Sequence, residues 1–517
     1  MTECYITSCK EDTVRWADTK TDASLLSFKD TLTLMNDYVS FCPGLWEALH
    51  GLNIKSLSLN VRFGGFKVKY ADSMSKSLLS LTHLDTLNIK VNANGPGLWE
   101  ALHGLNIKSL SLSIEYEGLN VNYADSMSQS LSSLTQLDTP SIKLDDNIPY
   151  LWEAPHGLNI KSLNLSIWYV GLNVNYADSM SQSLSSLTQL DTLSIKLDDN
   201  IPYLWEALRG LNIKSLSLSG KFLRLNVNYA DSMSQSLSSL TQLDTLGFEF
   251  DDYSPCLWQA LHGLNIKSLS LSIWYVGLNL NDAYSMSQSL SSLTRLETLS
   301  IEPNGQSPVL WKAVHGLNIK SLSLSGQNGC FTVEHANSIA QSLSSLKQLE
   351  TLSIYFWKYI DIKLPQSLKH LNSYFMVLLP SELRELVDTL SACTQTIESN
   401  LDFCCASLDG TTFKRIPPEE YIVVKKELEM LKNVEVKRFK ILDRTRQSDV
   451  YDVYDDDDAA SDWSVRGIGG VHDDTEDDDN VKDFAYKKFV RRMCSHMCKT
   501  IINRISMRLL ITPSSNS

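Results

Sequence analysis

The sequence predicts an α/β fold built as a solenoid, on three observations. Tryptophans stand at positions 46, 99, 152, 205, 258 and 311, each 53 residues after the last, and only an internal repeat produces a constant step of that size. Every unit carries two short segments with apolar residues at the first, fourth and sixth positions. They are Ile54, Leu57 and Leu59 in one half, and Leu84, Leu87 and Ile89 in the other. Between such segments the apolar period changes from two to about 3.6, as at Met127, Leu131, Leu134 and Leu137, which marks strands alternating with helices.

The elements follow in chain order. Residues 1–24 lack the basic start and apolar run of a secretory signal and form an N-terminal segment or truncated repeat. An apparent half-unit at Phe28–Leu34 opens an array over 25–355 in which strand spacings alternate between 30 and 23 residues. The longer connection holds a helix of about three turns after Ala124-Asp125-Ser126. The shorter runs from Leu45 to Gly51, started by a nearby proline (Pro43, Pro96, Pro149, Pro202, Pro255) and ended by glycine. Strands in one direction joined by helices give a right-handed arc, with a parallel sheet on the concave face and helices on the convex face. The repeated tryptophans are expected as a buried stack, since aromatic side chains dominate cores. Pro140 replaces the fourth-position leucine of a central strand, and Pro155 a leucine of a short helix, so a bulge or loose spot is expected over 138–157. The second strand position is Lys in one half (55, 108, 161, 214, 267, 320) and acidic in the other, which predicts a ladder of alternating charge.

The L-x-x-L-x-L pattern, repeated twelve times, resembles leucine-rich repeats of the ribonuclease-inhibitor-like class, in particular the C-terminal repeat tails of NOD-like immune receptors. The ninth-position asparagine of that family matches as Asn92, Asp145, Asp198, Asp251 and Asn304 in one half only, and the 30/23 alternation departs from its nearly uniform repeat length. The resemblance implies a binding role in innate immunity. No G-x-x-x-x-G-K-[ST] phosphate loop occurs, so the chain is repeat-only or part of a larger receptor.

Past the array, 356–442 reads as a divergent α/β cap, with helical patterns at Ser381–Val387 and Glu419–Leu431 and a strand pattern at Val434–Phe439. Residues 443–480 hold 14 acidic and 3 basic residues, a net charge of −11 and the composition of a disordered linker. Residues 481–517 carry +7 and an apolar stripe of Phe484, Phe489, Met493, Ile501 and Ile505, a basic amphipathic helix and tail. Ten cysteines at irregular intervals, two of them adjacent (Cys404 and Cys405), predict reduced thiols in the cytosol. Cys494, His496 and Cys498 are too few for a zinc site, and the acidic run lacks calcium-loop spacing, so no cofactor or metal is expected. The histidines fall at repeated places such as His103 and His262 and form no catalytic constellation, which argues against an enzyme.

What remains is a cytoplasmic scaffold without a membrane span or small-molecule substrate, whose partner is a protein of unknown identity. Comparing the copies places the interface. Position nine of the shorter-helix half varies as Arg62, Glu115, Trp168, Lys221, Trp274 and Gln327. Position seven of the other half changes from Lys90, Lys143 and Lys196 to Glu249 and Glu302. No shared packing role produces such mixtures. The alternative is a nucleic-acid or membrane-surface binder acting through the basic C-terminal helix, which the net charge of −14 opposes for the chain as a whole.

Overall fold

The computed structural model describes residues 5–7, 31–36 and 46–442. Within the last span it leaves out positions 48 and 157 and the connections 62–67, 92–95, 115–120, 145–154, 168–173, 198–203, 221–226, 251–254, 274–279, 304–307, 327–332 and 410–411. The acidic and basic stretches predicted beyond 442 lie outside it. The chain divides into two compact units, Met1–Leu322 with Val333–Leu349, and Ser323–Thr332 with Glu350–Ser517.

The first unit is a leucine-rich-repeat solenoid. Its strands are β1 (Tyr5–Thr7), β2 (Thr31–Asn36), β3 (Ser56–Val61), β4 (Thr86–Val91), β5 (Ser109–Ile114), β6 (Thr139–Leu144), β7 (Ser162–Ile167), β8 (Thr192–Leu197), β9 (Ser215–Gly220), β10 (Thr245–Phe250), β11 (Ser268–Ile273) and β12 (Thr298–Pro303). Each pairs in parallel with the next. The first strand was not legible in the sequence pattern, whereas β2 falls on the apparent half-unit. Alternation does the rest. Leu110 and Leu112 of β5, like Leu269 and Leu271 of β11, are at most 1% exposed, while the serines between them stay half-exposed.

Helices cover the apolar side. Thirteen-residue helices such as Val121–Ser133 and Val227–Ser239 fill the longer connections. Short helices such as Pro96–Leu102 and Pro255–Leu261 fill the shorter ones, with proline at the first turn where a missing N–H costs nothing. Each short helix ends at a glycine with φ near +73°, as at Gly104 and Gly263, the left-handed geometry that a side chain would strain. The tryptophans at 46, 99, 205, 258 and 311 are buried to 2% exposure or less, as expected of a core stack; Trp152 lies outside the described residues.

The two helix classes are tied by hydroxyls. Ser130 Oγ donates to the Trp99 carbonyl at 2.6 Å, and Ser133 Oγ donates to the Ser130 carbonyl at 2.6 Å while accepting the Gly104 N–H at 2.7 Å. The same relay links Ser289, Ser292, Trp258 and Gly263. It satisfies carbonyl and amide groups that the end of a short helix otherwise leaves orphaned.

At Pro140 the expected weak spot takes the form of lost pairing and not of a bulge. The strand β6 keeps register and shows no bulge; it pairs with β5 over all six residues but with β7 only over Ser141–Leu144. Lacking an N–H, Pro140 shortens one side of the ladder instead of bending the strand. The connection 145–154 beside it is outside the described residues.

The charge ladder forms with a fixed sense. Lysines 108, 161, 214, 267 and 320 reach the acid of the strand before them, Asp85, Asp138, Asp191, Asp244 and Glu297, at 2.7–3.2 Å. Asp85 holds the Lys108 ammonium above the usual lysine range, chiefly through this hydrogen bond and then through its charge. These pairs are exposed, so each contributes little by itself. Replacing Lys161 by Glu should lower the melting temperature by roughly 1–3 °C at low salt and by less at high salt. An unchanged low-salt melting temperature would rule the ladder out as a stabilising element.

In the second unit, after β13 (Ser321–Gly326), in which the division between the units falls, come β14 (Thr351–Lys358), β15 (His370–Val377) and β16 (Ile397–Cys404). The hairpin β17 (Ala406–Asp409) and β18 (Thr412–Arg415) follows, and β19 (Val434–Leu442) closes the series. β14, β15, β16 and β19 form a parallel sheet, with Lys437 the extra residue of a bulge opposite Ser399 and Asn400. Helices Pro380–Ser391 and Glu419–Glu429 bury Leu383, Leu386, Tyr421 and Leu428. The Tyr421 hydroxyl donates to the Leu378 carbonyl at 2.6 Å. Side-chain amides chain across the strands, Asn400 donating to Asn372 at 2.9 Å and Asn372 to Ser353 at 3.1 Å. A dry cluster of Trp357, Met376, Val377 and Cys404 packs with Leu442. Cys393, Cys404 and Cys405 are free thiols.

Candidate protein-binding surface

The side of the first sheet away from the helices is polar and built from small residues. Parallel register places Asn88, Ser111, Ser141, Asn164, Ser194 and Ser217 in one row across β4 to β9. Hydroxyls and amides of this size leave the backbone open to an approaching chain. The ladder of Lys and acidic side chains borders this face at the start of the strands.

The row nearest the strand ends breaks the uniformity. Lys90, Ser113, Lys143, Ser166, Lys196, Ser219, Glu249, Ser272 and Glu302 occupy successive strands from β4 to β12 at the same register. Charges therefore recur on every second strand, about 9.6 Å apart, and change sign once, across β9. The serine strands between them act as spacers. The three lysines and Glu249 are half-buried, so their stems lie along the sheet. Glu302 departs from the sequence expectation of a contact residue. It is only 5% exposed and its Oε2 accepts a hydrogen bond from Ser272 Oγ at 3.4 Å. It therefore offers little contact area to a partner.

The six strand-exit positions, Arg62, Glu115, Trp168, Lys221, Trp274 and Gln327, lie outside the described residues. Sequence alone places Trp168 and Trp274 directly after Ile167 and Ile273, the ends of β7 and β11. Histidines 50, 103, 156, 262 and 315 are exposed on the turns and are not core residues, whereas Gly51, Gly104, Gly263 and Gly316 beside four of them hold the positive φ of the helix ends. Among the described residues, no group of three or more His, Cys, Asp or Glu side chains is arranged to hold a metal, and no helix is long and apolar enough to cross a membrane.

Comparison with known proteins gives structural likeness only. No family model and no curated protein matches the chain. Among solved structures it is similar to the leucine-rich repeat-containing protein LegL7 from Legionella pneumophila, at 14% identity and a TM-score of 0.37, over 63% of this chain and 90% of that one. It is also similar to TLR13, solved in complex with ssRNA13, at 16% identity and a TM-score of 0.33, over 79% of this chain and 60% of TLR13. Toll, from the Drosophila Toll–Spatzle complex, matches at 12% identity and a TM-score of 0.28, over 73% of this chain and 65% of Toll. Likeness at this level says nothing about what the present chain binds.

Proposed function

We propose that this protein is a non-catalytic scaffold that binds another protein on the polar face of its first sheet and on the strand-exit connections beside it. The observation that carries the reading is the charged row. Units that are otherwise near copies hold their core residues fixed, yet the seventh strand position changes from Lys to Glu along the array. A face needed only for solubility has no use for an ordered reversal of sign, whereas a face that orients a partner does. The role extends to innate-immune recognition of the NOD-like receptor type on the resemblance of the repeats alone, since a fold hosts many functions.

The test compares three full-length proteins, and a fourth lacking residues 481–517, as baits under one salt condition. Lys143→Glu with Lys196→Glu should reduce capture of a specific partner at least about tenfold, because like charges then face each other. Glu100→Lys with Glu206→Lys, on exposed short-helix positions, should retain it. Equal capture by all three, or loss only when residues 481–517 are removed, would overturn the proposal; the second result would favour the basic tail as the binding element.

A further inference from the structure

Building on the reading of the sheet face as a binding surface, we propose that one occupant of that face is the 443–517 segment of a second copy of this chain. Two independent observations meet here. The row on the face runs from basic (Lys90, Lys143, Lys196) to acidic (Glu249), with the reversal across β9 and Glu302 buried further along. The segment runs from acidic to basic, −11 over 443–480 and then +7 over 481–517. Laid on the row, its acidic stretch covers the lysines while its basic stretch reaches Glu249.

The spacing fits as well as the sign. The centre of the three lysines is β6 and Glu249 stands on β10, four strands on, about 19 Å at 4.8 Å per strand. In the segment the densest acidic run, Asp473–Asp479, is followed closely by Lys482, Lys487, Lys488, Arg491 and Arg492. From Glu476 to Lys487 the chain covers about 36 Å fully extended and about 17 Å as a helix, which brackets the span required. The lysines of the row have neighbours of their own, and the match concerns the net field they present. Exchanged between two copies, the contact is made twice, as a two-fold arrangement requires, so weak and salt-sensitive attractions reinforce each other.

Zero-length carbodiimide coupling of an equal mixture of isotopically heavy and light full-length chains reads this directly, because it joins a lysine only to a touching carboxylate. The Lys108–Asp85 pair, 2.8 Å apart, shows within each chain that the reagent works. The expected result is heavy-to-light links from Lys143 or Lys196 to carboxylates in Asp455–Asp458 or Asp473–Asp479. These links should fall several-fold at about 0.5 M salt. They should also fall when Asp473, Asp474 and Asp477 are changed to Asn, substitutions that leave the described fold untouched. No such links, or links within one chain only, would overturn the proposal. The parent reading is scored separately: if the face variants still lose their partner in the capture experiment, the sheet face remains a binding surface and only this occupant is rejected.

Discussion

Trp258→Ala is expected to destabilise the first unit by roughly 3–5 kcal/mol, the range for deleting a buried aromatic side chain. The indole is 1% exposed in the short helix Pro255–Leu261, whose Leu257, Ala260 and Leu261 are also at most 3% exposed. The substitution leaves a cavity that two rigid neighbouring repeats close only partly. One feature works the other way. Among the described residues no acceptor meets the buried Trp258 Nε1, so its removal also relieves a desolvated N–H, which puts the expectation at the lower end of the range. The backbone relay is spared, because Ser289 bonds to the main-chain carbonyl of Trp258 and not to its ring. In a solenoid each repeat touches only its neighbours, so the loss should also uncouple the array on either side. Urea unfolding followed by circular dichroism should show a lower midpoint and a shallower slope, the sign of a broken two-state transition. A shift under about 1 kcal/mol with an unchanged slope would mean that the tryptophan stack does not hold the repeats together.

The core was legible because repetition multiplies weak signals. One tryptophan at one position says little, whereas six at a constant step of 53 leave only a shared buried site. The charge ladder was legible in kind but not in sense. Lys161 pairs with Asp138, 23 residues back, and the sequence holds no sign that the shorter connection sets the pairing. The serine relay was missed outright. Ser130 and Ser133 look like solvent-facing residues of an amphipathic helix, and only the Trp99 carbonyl and Gly104 amide that they meet reveal their role. At Pro140 the lost ladder donor was legible but the bulge was not needed, since a parallel strand that keeps one full ladder tolerates a missing donor on the other side. For the candidate surface, internal copies served as their own comparison. The reversal from Lys196 to Glu249 stands out in sequence, but its alignment into one row needed the strand register. The burial of Glu302 was hidden because in sequence it looks the same as Glu249, which stays half-exposed.

The second large effect belongs to binding. Trp168 and Trp274 follow β7 and β11, four strands apart, about 19 Å, a separation that one protein partner covers. Their counterparts in other units are Arg62, Glu115, Lys221 and Gln327, so no common packing need explains a tryptophan at this position. Large aromatic side chains bordering a polar face are the usual anchors of an interface, where truncating one costs about 2 kcal/mol or more. The account therefore predicts that Trp168→Ala with Trp274→Ala keeps the unfolding midpoint of the parent, in contrast to Trp258→Ala. The measurement that bears most directly on the central claim is a calorimetric titration of the captured partner into parent protein and into this double variant. A loss of affinity of at least about thirtyfold, equivalent to ~2 kcal/mol, is the predicted result. Equal affinity in a variant whose circular dichroism and unfolding match the parent would contradict it.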